Sequence, residues 1–259
     1  MFLQGLVSYL RHSAFAARIR PSVQRLRQAP RLYVTALRQL HPAVSLVVGL
    51  RFQSTPEAVT AFALSQHLIK PWQVPSELLR FAKIVAALLP EKVMEIGTFQ
   101  GGTLCILSRL SSPTADIISI DLAGGKFGGG YSEFRSLLYR SFCKYFQTMH
   151  LIRGDSHSEK ILTKVKSITQ SLDILFIDGD HTYEGVKRDF FDYSPLVRLG
   201  GLVAFHDIVE HPKDSGCEVA RFWNEIKQQY HHEEILEDPQ QGWAGIGILY
   251  MGVAPESDN

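Results

Sequence analysis

Lys92-Val93-Met94-Glu95-Ile96-Gly97-Thr98-Phe99-Gln100-Gly101-Gly102-Thr103 reads as a buried strand ending in a carboxylate, then a glycine turn that opens a helix. Twenty residues after Gly101, the run Ile117-Ile118-Ser119-Ile120-Asp121 offers a second apolar strand with a second terminal acid. A strand, a glycine loop, a helix and a strand-terminal acid make up the nucleotide-binding half of an open α/β sheet. A dinucleotide fingerprint begun at Gly97 needs glycine at position 99, where the backbone must approach a pyrophosphate. Phe99 stands there instead. The loop therefore suits a nucleoside cofactor that lacks a pyrophosphate and carries positive groups for Glu95 to attract.

Outward from this stretch the chain alternates. Strands are predicted near 92–96, 116–121, 149–153, 172–178 and 200–206, and helices near 101–110, 132–146, 157–170, 183–194 and 216–230. Two helices precede them, from Pro56 to about His67 and from Glu77 to Leu89, the second with Ser76 as its N-cap. Strands separated by helices imply a parallel sheet. The tail departs from the pattern: His231 to Glu237 and Gly245 to Met251 flank Asp238-Pro239-Gln240-Gln241-Gly242, as an antiparallel pair closing the sheet would. The expected fold is thus α/β, a Rossmann-like, mostly parallel sheet with a closing antiparallel strand and an N-terminal helical extension.

The net charge of +1 hides an asymmetry, because residues 1–56 hold eight arginines and no Asp or Glu. The remainder carries 19 basic against 26 acidic residues. A basic helical arm over 1–55 is expected ahead of a mildly acidic catalytic domain over 56–255. Pro21, Pro30 and Pro42 break the arm into short amphipathic pieces. It reads first as a helical cap on the domain or on a second subunit, and second as a peripheral membrane or partner contact. Its acid-free, arginine-rich composition also resembles an organellar transit peptide. No run reaches the eighteen or so apolar residues of a membrane span. Cys105, Cys143 and Cys217 have no metal-like spacing, so neither a disulfide framework nor a zinc site is expected, and a cytoplasmic, reducing setting is. The body lacks a basic stripe with aromatics, so no nucleic-acid partner is expected.

Ligands of open parallel sheets lie beyond the carboxyl ends of the strands. Glu95, with Gly97, Thr98 and Gly101 in the turn, is expected at the cofactor. Asp121 suits vicinal ribose hydroxyls, and Asp155 and Ser156, ending the third strand, suit an adenine edge or a helix cap. S-adenosylmethionine meets this description and NAD does not. Asp178, Asp180, His181, His206 and Asp207 crowd the ends of the fourth and fifth strands. Carboxylates and an imidazole can hold a divalent ion, Mg2+ or Mn2+ for an oxygen-rich set, and a histidine can remove a proton. His231-His232 is read as surface, and Phe222, Trp223 and Trp243 as core.

With these residues in hand, the chain from Lys70 to Met251 resembles the class I S-adenosylmethionine-dependent methyltransferases, in the branch of macrocin-type O-methyltransferases and cephalosporin-hydroxylase-like proteins. The carriers are Glu95-Ile96-Gly97-Thr98-Phe99-Gln100-Gly101-Gly102-Thr103, the glycine-rich run Gly124 to Tyr131, Ile177-Asp178-Gly179-Asp180-His181-Thr182-Tyr183-Glu184-Gly185, and Gly200-Gly201-Leu202-Val203-Ala204-Phe205-His206-Asp207. The resemblance implies seven strands in the order 3-2-1-4-5-7-6. It implies Glu95, Gly97, Asp121 and Asp178 at the cofactor, His181 as general base beside Asp207, and Asp178 with Asp207 as metal ligands. Metal-using relatives tend to carry an acid where this chain has His206. The expected reaction is methyl transfer to a hydroxyl of a small molecule or sugar by a homo-oligomeric enzyme. A hydroxylase-like metal-dependent oxidoreductase and a non-catalytic docked protein are the alternatives.

Overall fold

The computed structural model describes residues 43–253 except 125, 126, 128 and 145. Residues 1–42 of the predicted arm lie outside the described residues. A helical stretch over 43–50 leads into α1 (Pro56–Ser65) and α2 (Pro75–Leu88). There follow β1 (Lys92–Ile96), α3 (Gly102–Leu110), β2 (Asp116–Asp121), α4 (Glu133–Arg140), β3 (Thr148–Arg153), α5 (Glu159–Ile168), β4 (Leu172–Ile177), α6 (Tyr183–Tyr193), β5 (Val197–His206), α7 (Val219–Ile226), β6 (His231–Ile235) and β7 (Ile246–Tyr250).

The seven strands run in the order β3-β2-β1-β4-β5-β7-β6. The first five are parallel, and β7 inserts antiparallel between β5 and β6. Alternation along each strand makes two cores. Val93, Ile174 and Phe176 face the layer of the 43–50 helix, α1, α2 and α3; Met94, Ile96, Leu175 and Ile177 face α5, α6 and α7. Ala43, Leu46 and Leu50 are buried in the first core, so the last part of the predicted arm packs on the domain.

Two local readings are corrected. α2 begins at Pro75 with Val74 as its N-cap and no capping side chain, so Ser76 lies inside the first turn. Proline's fixed φ suits that first position, and it displaced the hydroxyl. α4 ends at Arg140, well short of 146.

At the carboxyl edge the parallel ladder runs into the turns. Gly97 N–H donates to Ile120 O at 2.9 Å and Asp178 N–H to Ile96 O at 2.8 Å. This fixes the glycine turn and the end of β4 side by side. A β-carbon at Gly97 (φ +86°) would lie 1.8 Å from the Asp178 carbonyl oxygen, so glycine is required there on both counts.

Candidate active site

A cavity of about 580 Å³ opens over the carboxyl ends of β1, β2, β4 and β5. Its floor is the turn Gly97 to Gly102, and its walls include Asp121, Asp155, Ser156, Asp178, His181, His206 and Asp207. Trp72, Phe99, Phe127 and Trp243 line it too. Trp72 meets the Phe99 ring edge-on at 5.5 Å. Phe99 adopts φ +45°, the left-handed conformation glycine usually supplies, and still presents a bulky ring to the cavity. Its backbone is held on both sides: the N–H donates to Asp121 Oδ2 at 2.8 Å, and the carbonyl accepts from Tyr139 Oη at 2.7 Å.

Asp121 binds two loops together. Its Oδ1 accepts from Gly130 N–H at 2.8 Å, tying the end of the glycine-rich loop to the turn that holds Phe99. Burial raises its pKa, against the lowering effect of these backbone donors. Thr98 Oγ1 and Ser119 Oγ share a hydrogen bond of 2.6 Å behind the turn. Glu95 is 1% exposed, and neither carboxylate oxygen has a hydrogen-bond partner among the described residues. Burial pushes its carboxyl well above the usual range. A buried carboxylate without a donor is costly, and a cationic group near the turn would relieve it.

The second half of the site is a charge cluster at the ends of β4 and β5. His181 Nδ1 lies 2.7 Å from Asp207 Oδ2, and its Nε2 lies 3.7 Å from Asp178 Oδ1. His206 Nδ1 lies between Asp178 Oδ1 (3.2 Å) and Asp207 Oδ1 (3.3 Å). His211 Nε2 is 3.3 Å from the same Asp207 Oδ1. Gln73 Nε2 donates to Asp178 Oδ2 at 2.9 Å. Burial disfavours the charged imidazole of His181, yet Asp207, Cys217 and Asp178 outweigh it and lift its pKa to about 10. Burial likewise opposes ionisation of Asp207, but His206 and the hydrogen bonds from the three histidines hold it well below the usual range. Cys217 is held down at about 7: burial works against the thiolate, and His181 and His211 favour it. The Phe127 ring lies over His181 at 4.9 Å.

Residues 94–208 match the family model described as a methyltransferase domain. The fold is shared with solved enzymes. The O-methyltransferase from Bacillus cereus, solved with S-adenosylhomocysteine, superposes with a TM-score of 0.52 at 17% identity, over 76% of this chain and 91% of that one. TomG from Streptomyces achromogenes, an O-methyltransferase of tomaymycin synthesis solved with S-adenosylmethionine, gives 0.52 at 18% identity, over 77% and 91%. Residues 94–208 are thus similar to a methyltransferase domain, and the chain shares the fold of these solved enzymes. Among curated sequences, R132 of Acanthamoeba polyphaga mimivirus is 31% identical over 121 residues, 46% of this chain. The alignment spans about half (52%) of that relative's length.

Of the residues singled out at the strand ends, Glu95 lies buried and is not among those lining the cavity, whereas Asp121, Asp155, Asp178, Asp180, His181, His206 and Asp207 all line it. Asp180 lines the cavity but turns back, with Oδ1 accepting from Thr182 N–H and Oγ1 at 2.9 Å each. Asp155 Oδ1 accepts from His157 N–H at 2.9 Å, while the N-cap of α5 is Ser158. Asp178, His206 and Asp207 each offer a ligand atom within 4.8 Å of the others. Trp243 is corrected: it is 45% exposed and lines the cavity rather than the core. Phe222 and Trp223 are buried as expected. Gln73, His211 and Cys217 were missed. All three sit on connections, where no periodicity marks a position; the one available signal was His211's spacing of four from Asp207.

Proposed function

We propose that this protein transfers a methyl group from S-adenosylmethionine to a hydroxyl oxygen of a small-molecule acceptor, a sugar included. The observation that carries the reading is a cavity floored by the glycine turn Gly97 to Gly102 and walled by the His181–Asp207 pair, with the unpartnered carboxyl of Glu95 buried next to that turn. Bound S-adenosylmethionine supplies a methyl group on a positively charged sulfur. Glu95 answers positive charge near the turn. Gly97, Thr98 and Gly101 let the backbone come close, and Asp121 retains acceptor capacity on both oxygens for a vicinal diol. Asp155 and Ser156 border the opposite wall, where an adenine edge would be met. Asp178 faces the junction between cofactor and acceptor.

His181 is assigned the proton. Asp207 fixes the ring through Nδ1, which leaves Nε2 as the nitrogen to take a hydroxyl proton. Trp72, Phe99, Phe127 and Trp243 line the cavity and offer an acceptor an apolar surface. Asp178, His206 and Asp207 would hold a divalent ion, and a set containing an imidazole suits Mn2+ better than Mg2+. Its contribution would be to stabilise the acceptor's developing negative charge.

Asp121→Ala tests the cofactor half. It removes the acceptor for a diol and frees the Phe99 and Gly130 amides. S-adenosylhomocysteine binding, measured calorimetrically, should weaken by roughly 1.5–3 kcal/mol, the scale of hydrogen bonds to a charged group. An unchanged dissociation constant would remove Asp121 from the site.

A further inference from the structure

Six side chains of metal-binding type meet at one corner of the site: Asp178, His181, His206, Asp207 and His211 line the cavity, and Cys217 adjoins His181 and Asp207. We propose that His181, Asp207 and Cys217, with His211 as a fourth donor, form a binding site for a borderline-soft divalent cation of the zinc class. The inference goes beyond methyl transfer and does not depend on it.

The donors are already assembled. One ligand atom from each of His181, Asp207 and Cys217 lies within 4.8 Å of the other two. A tetrahedral ion with bonds of about 2.0–2.3 Å holds its donors roughly 3.3–3.8 Å apart, so small side-chain rotations close the set. His211 Nε2 lies 3.3 Å from Asp207 Oδ1 but outside the set whose atoms are all within 4.8 Å of one another, so it supplies a fourth donor by a larger side-chain movement. Orienting one catalytic histidine takes a single carboxylate. Here one carboxylate faces three imidazoles, and a thiol rests against two of them.

The chemistry selects the ion. Thiolate with imidazole favours zinc or iron(II) over magnesium, which takes oxygen ligands and keeps its waters. Coordination would release the protons of the thiol and of the imidazolium to solvent. Because His181 would then be a ligand, loading the site withdraws the base, and micromolar zinc should slow any methyl transfer that magnesium leaves alone.

The test is a titration of the full-length, chelator-stripped protein with Co2+ alone. One equivalent should bind, with the visible bands of a tetrahedral ion and a near-ultraviolet thiolate-to-cobalt charge-transfer band that Zn2+ abolishes. Cys217→Ser should lose the charge-transfer band and weaken binding by more than the roughly 10–100-fold that loss of an outer-shell partner costs. Asp178→Asn should keep the band, and circular dichroism of each variant reports its folding. Absence of cobalt binding or of the charge-transfer band in the parent protein overturns the proposal, whatever the variants do. Binding lost in Asp178→Asn but kept in Cys217→Ser overturns it too, and assigns the ion to Asp178, His206 and Asp207.

Discussion

Replacing His181 by alanine should cut methyl transfer by about 10²–10⁴ while leaving S-adenosylhomocysteine affinity almost unchanged. The imidazole is the one group in the cluster whose Nδ1 is fixed by a carboxylate at 2.7 Å while its other nitrogen lies farther, 3.7 Å, from the nearest acid. The pH profile carries more information than the single rate. With its pKa raised to about 10, His181 is protonated at neutral pH, and a protonated imidazole cannot accept a proton. The rate of the parent enzyme should therefore climb about tenfold per pH unit and level off near 10. The alanine variant should climb without levelling, because hydroxide or an ionised acceptor replaces the base. Linkage adds a stability counterpart. The folded-state pKa exceeds the unfolded value of about 6.5, so the stabilisation from the His181–Asp207 pair is complete below that pH and is lost as pH rises through about 10. Equal turnover by parent and variant across this range would take the proton away from His181.

Gly97→Ala should be the most disruptive single methyl group in the domain. The new β-carbon would meet the Asp178 carbonyl oxygen at 1.8 Å, in a backbone conformation (φ +86°) that alanine disfavours. Left-handed strain of about 1–2 kcal/mol and overpacking of about 1–3 kcal/mol together predict a loss of roughly 2–5 kcal/mol in urea unfolding. The backbone that must move carries Asp178, so surviving folded protein should also bind S-adenosylhomocysteine poorly. A midpoint within experimental error of the parent would mean that the turn and the end of β4 are not packed as described.

The sheet was legible because each parallel strand is an apolar run that stops at a polar residue, and the run lengths leave room for one helix between strands. Glu95, Asp121, Asp178 and Asp207 could be read as neighbours for the same reason: in a parallel sheet all such endings share one edge. The antiparallel return of β7 was marked by Asp238-Pro239 and Gly242 ahead of the apolar run Ile246-Gly247-Ile248-Leu249-Tyr250. What the sequence hid lies in the connections. Gln73 sits between Pro71 and Pro75 with no amphipathic pattern around it, and only the folded chain brings it to Asp178. Cys217 is 36 residues from His181, in a loop whose path depends on the backbone bond from Glu218 N–H to His181 O at 2.7 Å. Trp243 looked like core because a large aromatic usually is; the loop carrying it is instead held by Glu77, a buried acid on α2. Glu77 accepts from Gln241 Nε2 at 2.8 Å and from Gly245 N–H at 3.0 Å.

The same geometry bears on cofactor choice. Phe99 occupies, in a glycine-like conformation, the position where a dinucleotide's pyrophosphate would need bare backbone. Glu95 adds a buried carboxyl next to the same turn, whose ionisation a nearby cation would favour. Both features favour a cationic nucleoside over an anionic one. Isothermal titration of the full-length protein with S-adenosylhomocysteine, and in parallel with NAD, measures this directly. One equivalent of S-adenosylhomocysteine should bind with a micromolar dissociation constant and NAD should give no heat; tight binding of NAD with none for S-adenosylhomocysteine would contradict the account.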